Sequence, residues 1–178
     1  MMVERVSIPR GSLISSVFPQ FDYADAYRIR LPASGPSDID ALVRVALGAA
    51  PGWACALMAL RDRVVRIVGL KTTPSGERDC APTSFQPGAR CGIFRVFARS
   101  ADEILLGEDD RHLDFRLSVL RQRGGAADWA VVSTVVRFNN WLGRAYFLPV
   151  RPLHQLIVPA ILRSALRKQM RGSMHSGA

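Results

Sequence analysis

Four β-patterned segments crowd into residues 92–139: "GIFRVFARS", "EILLGED", "RHLDFRLSVLRQ" and "DWAVVSTVVRFN". The links between them are as short as "ADE" and "DDR", and the longest is "RGGAAD". Links this short join antiparallel neighbours, because a parallel return needs a crossover of a dozen residues or more. This stretch therefore commits the chain to an antiparallel meander. In "RHLDFRLSVL", Leu113, Phe115, Leu117 and Val119 fall on one face, and His112, Asp114, Arg116 and Ser118 on the other. Leu113, Phe115, Leu117 and Val119, with Tyr27, Ile29, Phe94 and Val96, are expected to face inward.

The remaining elements surround that meander. "DYADAYRIRL" alternates Tyr23, Tyr27, Ile29 and Leu31 with Ala26, Arg28 and Arg30, the period-two pattern of a half-buried strand. After the loop "PASGPSD", Ser37 with Asp40 three residues on forms an acidic variant of the capping box, and a helix runs from there to near Gly48. A second amphipathic helix is read in "GWACALMALRDRVVRIVGL", with Trp53, Leu57, Leu60, Val64, Ile67 and Val68 on one side. The Pro/Gly-rich "KTTPSGERDCAPTSFQPGARCG" reads as a long loop with room for a short edge strand. "RPLHQLIVPAILRSALRKQM" reads as the last helix, with Pro152 in its first turn and Pro159 kinking its middle. Leu156, Ile157, Ala160 and Ile161 are expected to be buried against the sheet.

The order of strand, two helices, antiparallel strands and long terminal helix is an α+β solution. It resembles the helix-grip arrangement of the START and birch-pollen-allergen type, in which an antiparallel sheet wraps the C-terminal helix around an apolar cavity. One ligand-pocket domain over residues 1–171 and a disordered tail over 172–178 are expected.

Several function classes are set aside on composition. The net charge of +9 comes almost wholly from arginine, with only Lys71 and Lys168 as lysines, and is spread rather than gathered into an aromatic-flanked stripe. Nucleic-acid binding is therefore not expected. "MMVERVSIPR" lacks a signal-peptide core, and the apolar run from Leu153 to Leu162 is about half a bilayer span. A cytoplasmic protein without membrane association is the expectation. Cys55, Cys80 and Cys91 show no CxxC pairing, so free thiols are expected and metal is not. No GxGxxG loop follows a strand, and no cofactor is expected.

"LMALRDRVVRIVGLK", "LLGEDDRHLDFRLSV" and "VSTVVRFNNWLGRAYFLPVRPLHQLIVPAILR" resemble the bacterial DUF2867 family. The resemblance covers most of the chain. It implies a fold, and a domain found alone or behind a nucleotide-binding reductase-like domain, but no reaction.

Candidate site residues gather at the strand-to-helix junction "RFNNWLGRAYFLPVRPLH". Asn139 and Asn140 can cap or turn the chain. Alternatively, Arg137, Asn139, Asn140, Arg144, Tyr146 and His154 border a pocket mouth and bind a carboxylate or carbonyl. His112 and Asp114 form either an acid/base pair, with Tyr146 as a further catalytic candidate, or part of a solvated sheet face. Glu108, Asp109 and Asp110 lack the spacing of a calcium loop and read as a structural turn.

Two functional readings follow. The first is a pocket protein for a small apolar or aromatic molecule, with a cofactor-free cyclisation, dehydration or isomerisation open to it. The second is a non-catalytic module docking its apolar C-terminal helix on a partner protein or membrane surface. A homodimer is compatible with either.

Overall fold

The computed structural model describes residues 2–33, 35–48, 85–91, 94–125 and 127–175, without the side chains of Leu166 and residues 168–175. Its seven strands are β1 (Val3–Val6), β2 (Tyr23–Arg30), β3 (Arg90–Cys91), β4 (Phe94–Arg99), β5 (Glu103–Asp109), β6 (Leu113–Gln122) and β7 (Trp129–Phe138). They form one sheet in the order β1-β2-β7-β6-β5-β4-β3, with every pairing antiparallel. Helix α1 (Ile39–Gly48) follows β2, and helix α2 (Trp141–His175) follows β7. The fold is α+β, an antiparallel sheet packed against a long C-terminal helix.

The meander stands as read, each strand within two residues of its sequence boundaries. β1 and β3 are too short to show alternation, and β3 is the edge strand for which the long loop had room. The second helix read over 53–69 lies outside the described residues.

Strand alternation sorts the apolar side chains into two layers. On the inward face, Tyr27, Ile29, Val96, Ile104, Leu106, Val119 and Val132 pack with Ile39, Leu42 and Val43 of α1 and Val158 and Leu162 of α2. Towards one end, Tyr23, Leu113 and Val136 pack on Phe147 of α2, with Phe115 against them. The opposite face is covered by the N-terminal chain, where Ile14, flanked by Leu13, Val17 and Phe18, packs on Leu105 and Val135.

That cover corrects the reading of a solvated face. Asp114, Arg116 and Ser118 are all buried. Glu103, itself buried, accepts hydrogen bonds from the Leu13 backbone N–H at 2.7 Å and from Ser118 Oγ at 2.5 Å, so its charge is satisfied while it pins the cover to the sheet. Arg116 pairs with Asp109 at 2.8 Å and stacks over Phe97 at 3.5 Å.

Both helices start away from their expected positions. The N-cap of α1 is Asp38 rather than Ser37: its Oδ1 accepts the Ala41 N–H at 2.8 Å, which holds its carboxyl below the usual carboxylate range. α2 begins at Trp141 rather than Arg151, carries Pro149, Pro152 and Pro159 inside it, and continues past Arg171 to His175. Proline is normally confined to a first turn, so the sequence reading broke the helix where the chain only forgoes one backbone donor at each ring.

The buried stripe of α2 is Phe147, Val158, Leu162 and Ala165. Ile157, Ala160 and Ile161 are half-buried, but Leu156 is 65% exposed, against expectation. With its earlier start, the helix over Trp141–Ala165 is long and apolar enough to cross a bilayer, by length and composition alone. It instead lies along the sheet through that stripe.

Candidate functional site

The junction singled out in the sequence is built largely of backbone ties. Asn140 caps α2, its Oδ1 accepting the Gly143 N–H at 3.1 Å while its amide donates to the Arg111 carbonyl at 2.9 Å. Asn139 donates to the Asp110 carbonyl at 2.9 Å and to Asp114 Oδ1 at 3.1 Å. Asp114 also binds Arg137, its cross-strand partner, at 2.5 Å. Gly143 presses so closely on the β5–β6 turn that a Cβ there would sit 2.0 Å from the His112 carbonyl oxygen. Arg144, 70% exposed at its side chain, reaches Asp22 only at 3.5 Å.

His112 and Asp114 do not form a pair. His112 Nε2 lies 3.2 Å from Asp110, and its ring meets Tyr146 of α2 edge-on at 6.4 Å, whereas Asp114 turns to Arg137. The three carboxylates of the turn each have their own cation or imidazole: Glu108 with Arg90, Asp109 with Arg116, and Asp110 with His112.

The structure draws His154 into a different cluster. On β2, the residues Tyr23, Asp25, Tyr27 and Ile29 share the inward face, so Asp25 is a carboxylate inside an apolar row. Its side chain is 1% exposed. Tyr23 Oη donates to Asp25 Oδ2 at 2.5 Å, and His154 Nε2 lies 3.3 Å from Oδ1. Gln155, next on α2, donates to Tyr23 Oη at 3.4 Å. Burial and the adjoining Asp25 push the Tyr23 phenol well above the usual tyrosine range, and raise Tyr27 for the same reasons.

Directly across from Asp25 on β7 stands Thr134, which also pairs with Leu117 on β6. Its residue is 6% exposed, and its Oγ1 has no hydrogen-bond partner. Among the described residues only Glu108 Oε2 shares that condition, and the other oxygen of Glu108 is bound to Arg90. A carboxylate, a phenol, an imidazole, a carboxamide and a spare hydroxyl thus meet between sheet and helix. Together they can hold one polar group and move a proton to or from it.

The sequence named only His154 of these. Tyr23 was read as part of the apolar strand face. Asp25, Thr134 and Gln155 were missed, although Asp25 left a signal by standing in the apolar register of its strand. Two cavities lie elsewhere on the sheet, and neither is lined by a residue of this cluster. A groove of about 210 Å³ is lined by Arg30, Pro32, Arg121 and Asp128. An apolar void of about 10 Å³ lies between α1, α2 and the sheet, beside Leu42, Val132 and Leu162. No cluster of three metal-ligating side chains forms among the described residues. Cys91 is buried, and Cys55 and Cys80 lie outside the described residues.

Neither the curated proteins nor the solved structures yield a match to the chain. A family model described as a protein of unknown function matches residues 17–161, a span that takes in β2 to β7, the polar cluster under α2 and the capped junction. The chain belongs to that family, DUF2867.

Proposed function

We propose that the chain is a small-molecule-binding protein whose ligand lies between the inward sheet face and α2, in a helix-grip manner. The carrying observation is Thr134 Oγ1, buried without a partner directly opposite a buried carboxylate. A buried hydroxyl left unmade costs about 1–3 kcal/mol, so a ligand oxygen that bonds to it recovers energy the free protein lacks. The apolar surroundings of Tyr27, Leu117 and Val132 suit an apolar or aromatic body carrying one hydroxyl or carbonyl.

In this reading Asp25 is the base, Tyr23 donates to it and His154 orients it from the helix. Such a site supports a cofactor-free proton transfer, the step shared by isomerisation, dehydration and many cyclisations. Arg137, Asn139 and Asn140 then serve to fix the strand-to-helix corner, and the ligand sits further along α2 than the sequence placed it.

The test is native mass spectrometry of the purified protein. A bound mass released by organic solvent, and reduced at least tenfold in occupancy in Thr134→Val, supports the reading. An identical bound mass in wild type and Thr134→Val removes Thr134 from the site. The interaction-module reading draws on a separate observation, the exposed side of α2.

A further inference from the structure

α2 carries a second face that the sheet does not use. Helical spacing places Trp141, Ala145, Leu148, Pro152 and Leu156 on one side, away from Phe147, Val158 and Leu162. Trp141 is 77% exposed, Leu148 74% and Leu156 65%, so the band is continuous and uncovered among the described residues. Single exposed apolar residues need no explanation, but an aligned band of them marks an interaction surface.

Its charge narrows the partner. From Trp129 to the last residue the sequence contains no Asp or Glu, while α2 contains Arg144, Arg151, Arg163, Arg167, Lys168 and Arg171. Arg144, Arg151, Arg163 and Arg167 are exposed, and Arg144 reaches Asp22 only at 3.5 Å. A solvated helix face ordinarily mixes both signs. An apolar band flanked only by cations is the composition of a helix lying on an anionic interface. A second copy of the chain would bring six more cations against these six.

The prolines set the depth. Pro149 and Pro152 have no N–H, so the carbonyls of Ala145 and Leu148, both on the exposed side, have no backbone donor at the usual position. Carbonyls in that state are costly in hydrocarbon but tolerable at head-group depth, where water reaches them. We propose that α2 seats its Trp141–Leu156 band shallowly on an anionic lipid surface, with its arginines at the phosphates and the sheet facing away.

The test is co-sedimentation of the full chain with vesicles of phosphatidylglycerol mixed with phosphatidylcholine, against vesicles of phosphatidylcholine alone. The expected result is sedimentation on the anionic vesicles only, weakening with added salt, with a blue shift in tryptophan emission that Trp141→Phe abolishes. Leu148→Glu/Leu156→Glu should lower partitioning about a hundredfold or more with the circular dichroism unchanged, and Arg163→Gln/Arg167→Gln about tenfold. Absence of sedimentation at low salt overturns the proposal, as does sedimentation unaltered by the Leu variants. Two other outcomes also overturn it. One is a Trp141 shielded from acrylamide without vesicles. The other is a concentration-dependent dimer, seen by analytical ultracentrifugation, that Leu148→Glu/Leu156→Glu dissociates.

Discussion

Replacing Tyr23 with phenylalanine isolates the bond that the buried cluster turns on. The ring stays, and with it the tilted contact to Phe147 at 4.9 Å and the edge contact to His154 at 6.2 Å. The loss is the phenol O–H donated to Asp25 Oδ2 at 2.5 Å; the Gln155 contact at 3.4 Å is long enough to contribute little. A hydrogen bond to a charged group contributes about 1.5–3 kcal/mol, and freeing the ring of a buried polar oxygen returns a part of that. A net loss of about 2 kcal/mol is expected, equivalent to a fall in Tm of roughly 4–8 °C for a chain of this size. In urea melts followed by circular dichroism the midpoint should fall by about 1 M with the slope unchanged.

The pH dependence supplies an independent reading of the same bond. Tyr23 ionises above the ordinary tyrosine value of 10.0 when folded, because burial and Asp25 disfavour the phenolate. Its stabilising contribution is therefore complete below about pH 10 and is lost as the pH rises beyond it, where the unfolded chain ionises first. Tyr23→Phe should flatten that alkaline limb, leaving the smaller part due to Tyr27. A variant within 0.5 kcal/mol of wild type and with an unaltered alkaline limb would refute the assignment of Tyr23 to a buried charged bond.

Three further perturbations probe other joints of the structure. Thr134→Val exchanges an unpartnered hydroxyl for a methyl and should leave ligand-free protein unchanged or about 1 kcal/mol more stable by urea melt. Asp38→Ala removes the α1 cap and should cost about 1 kcal/mol at neutral pH. Because the Asp38 carboxyl titrates below its usual 3.8, that difference persists above pH 4 and fades as the pH falls further. Gly143→Ala drives a Cβ into the His112 carbonyl and should cost about 2 kcal/mol or more in the same melts.

The sheet was legible because its signals are local: alternation in "RHLDFRLSVLRQ" and links too short for anything but hairpins. The cover over Asp114 and Arg116 was not, since Ile14 and Phe18 lie far away in sequence and show no periodicity of their own. α2 was cut short because Pro149 and Pro152 outweighed the apolar pattern around Phe147, although one missing donor each did not end the helix. At the junction, Asn140 forms a cap, and Arg137 and Asn139 bind Asp114, whereas His154 joins the buried cluster. The buried cluster is instead assembled from β2, β7 and α2: the register Asp25↔Thr134 supplies the hydroxyl, and the docking of α2 supplies His154 and Gln155. Asp25 was nevertheless visible, as a charge in the apolar register of its strand.

The most direct measurement is a crystal structure of the protein as purified from its native cells, inspected between β2, β7 and α2. Electron density is expected there for a small molecule with one oxygen within hydrogen-bond distance of Thr134 Oγ1 and close to Asp25. Apolar side chains closing that space, with Thr134 Oγ1 bonded to a carbonyl of its own strand, would contradict it.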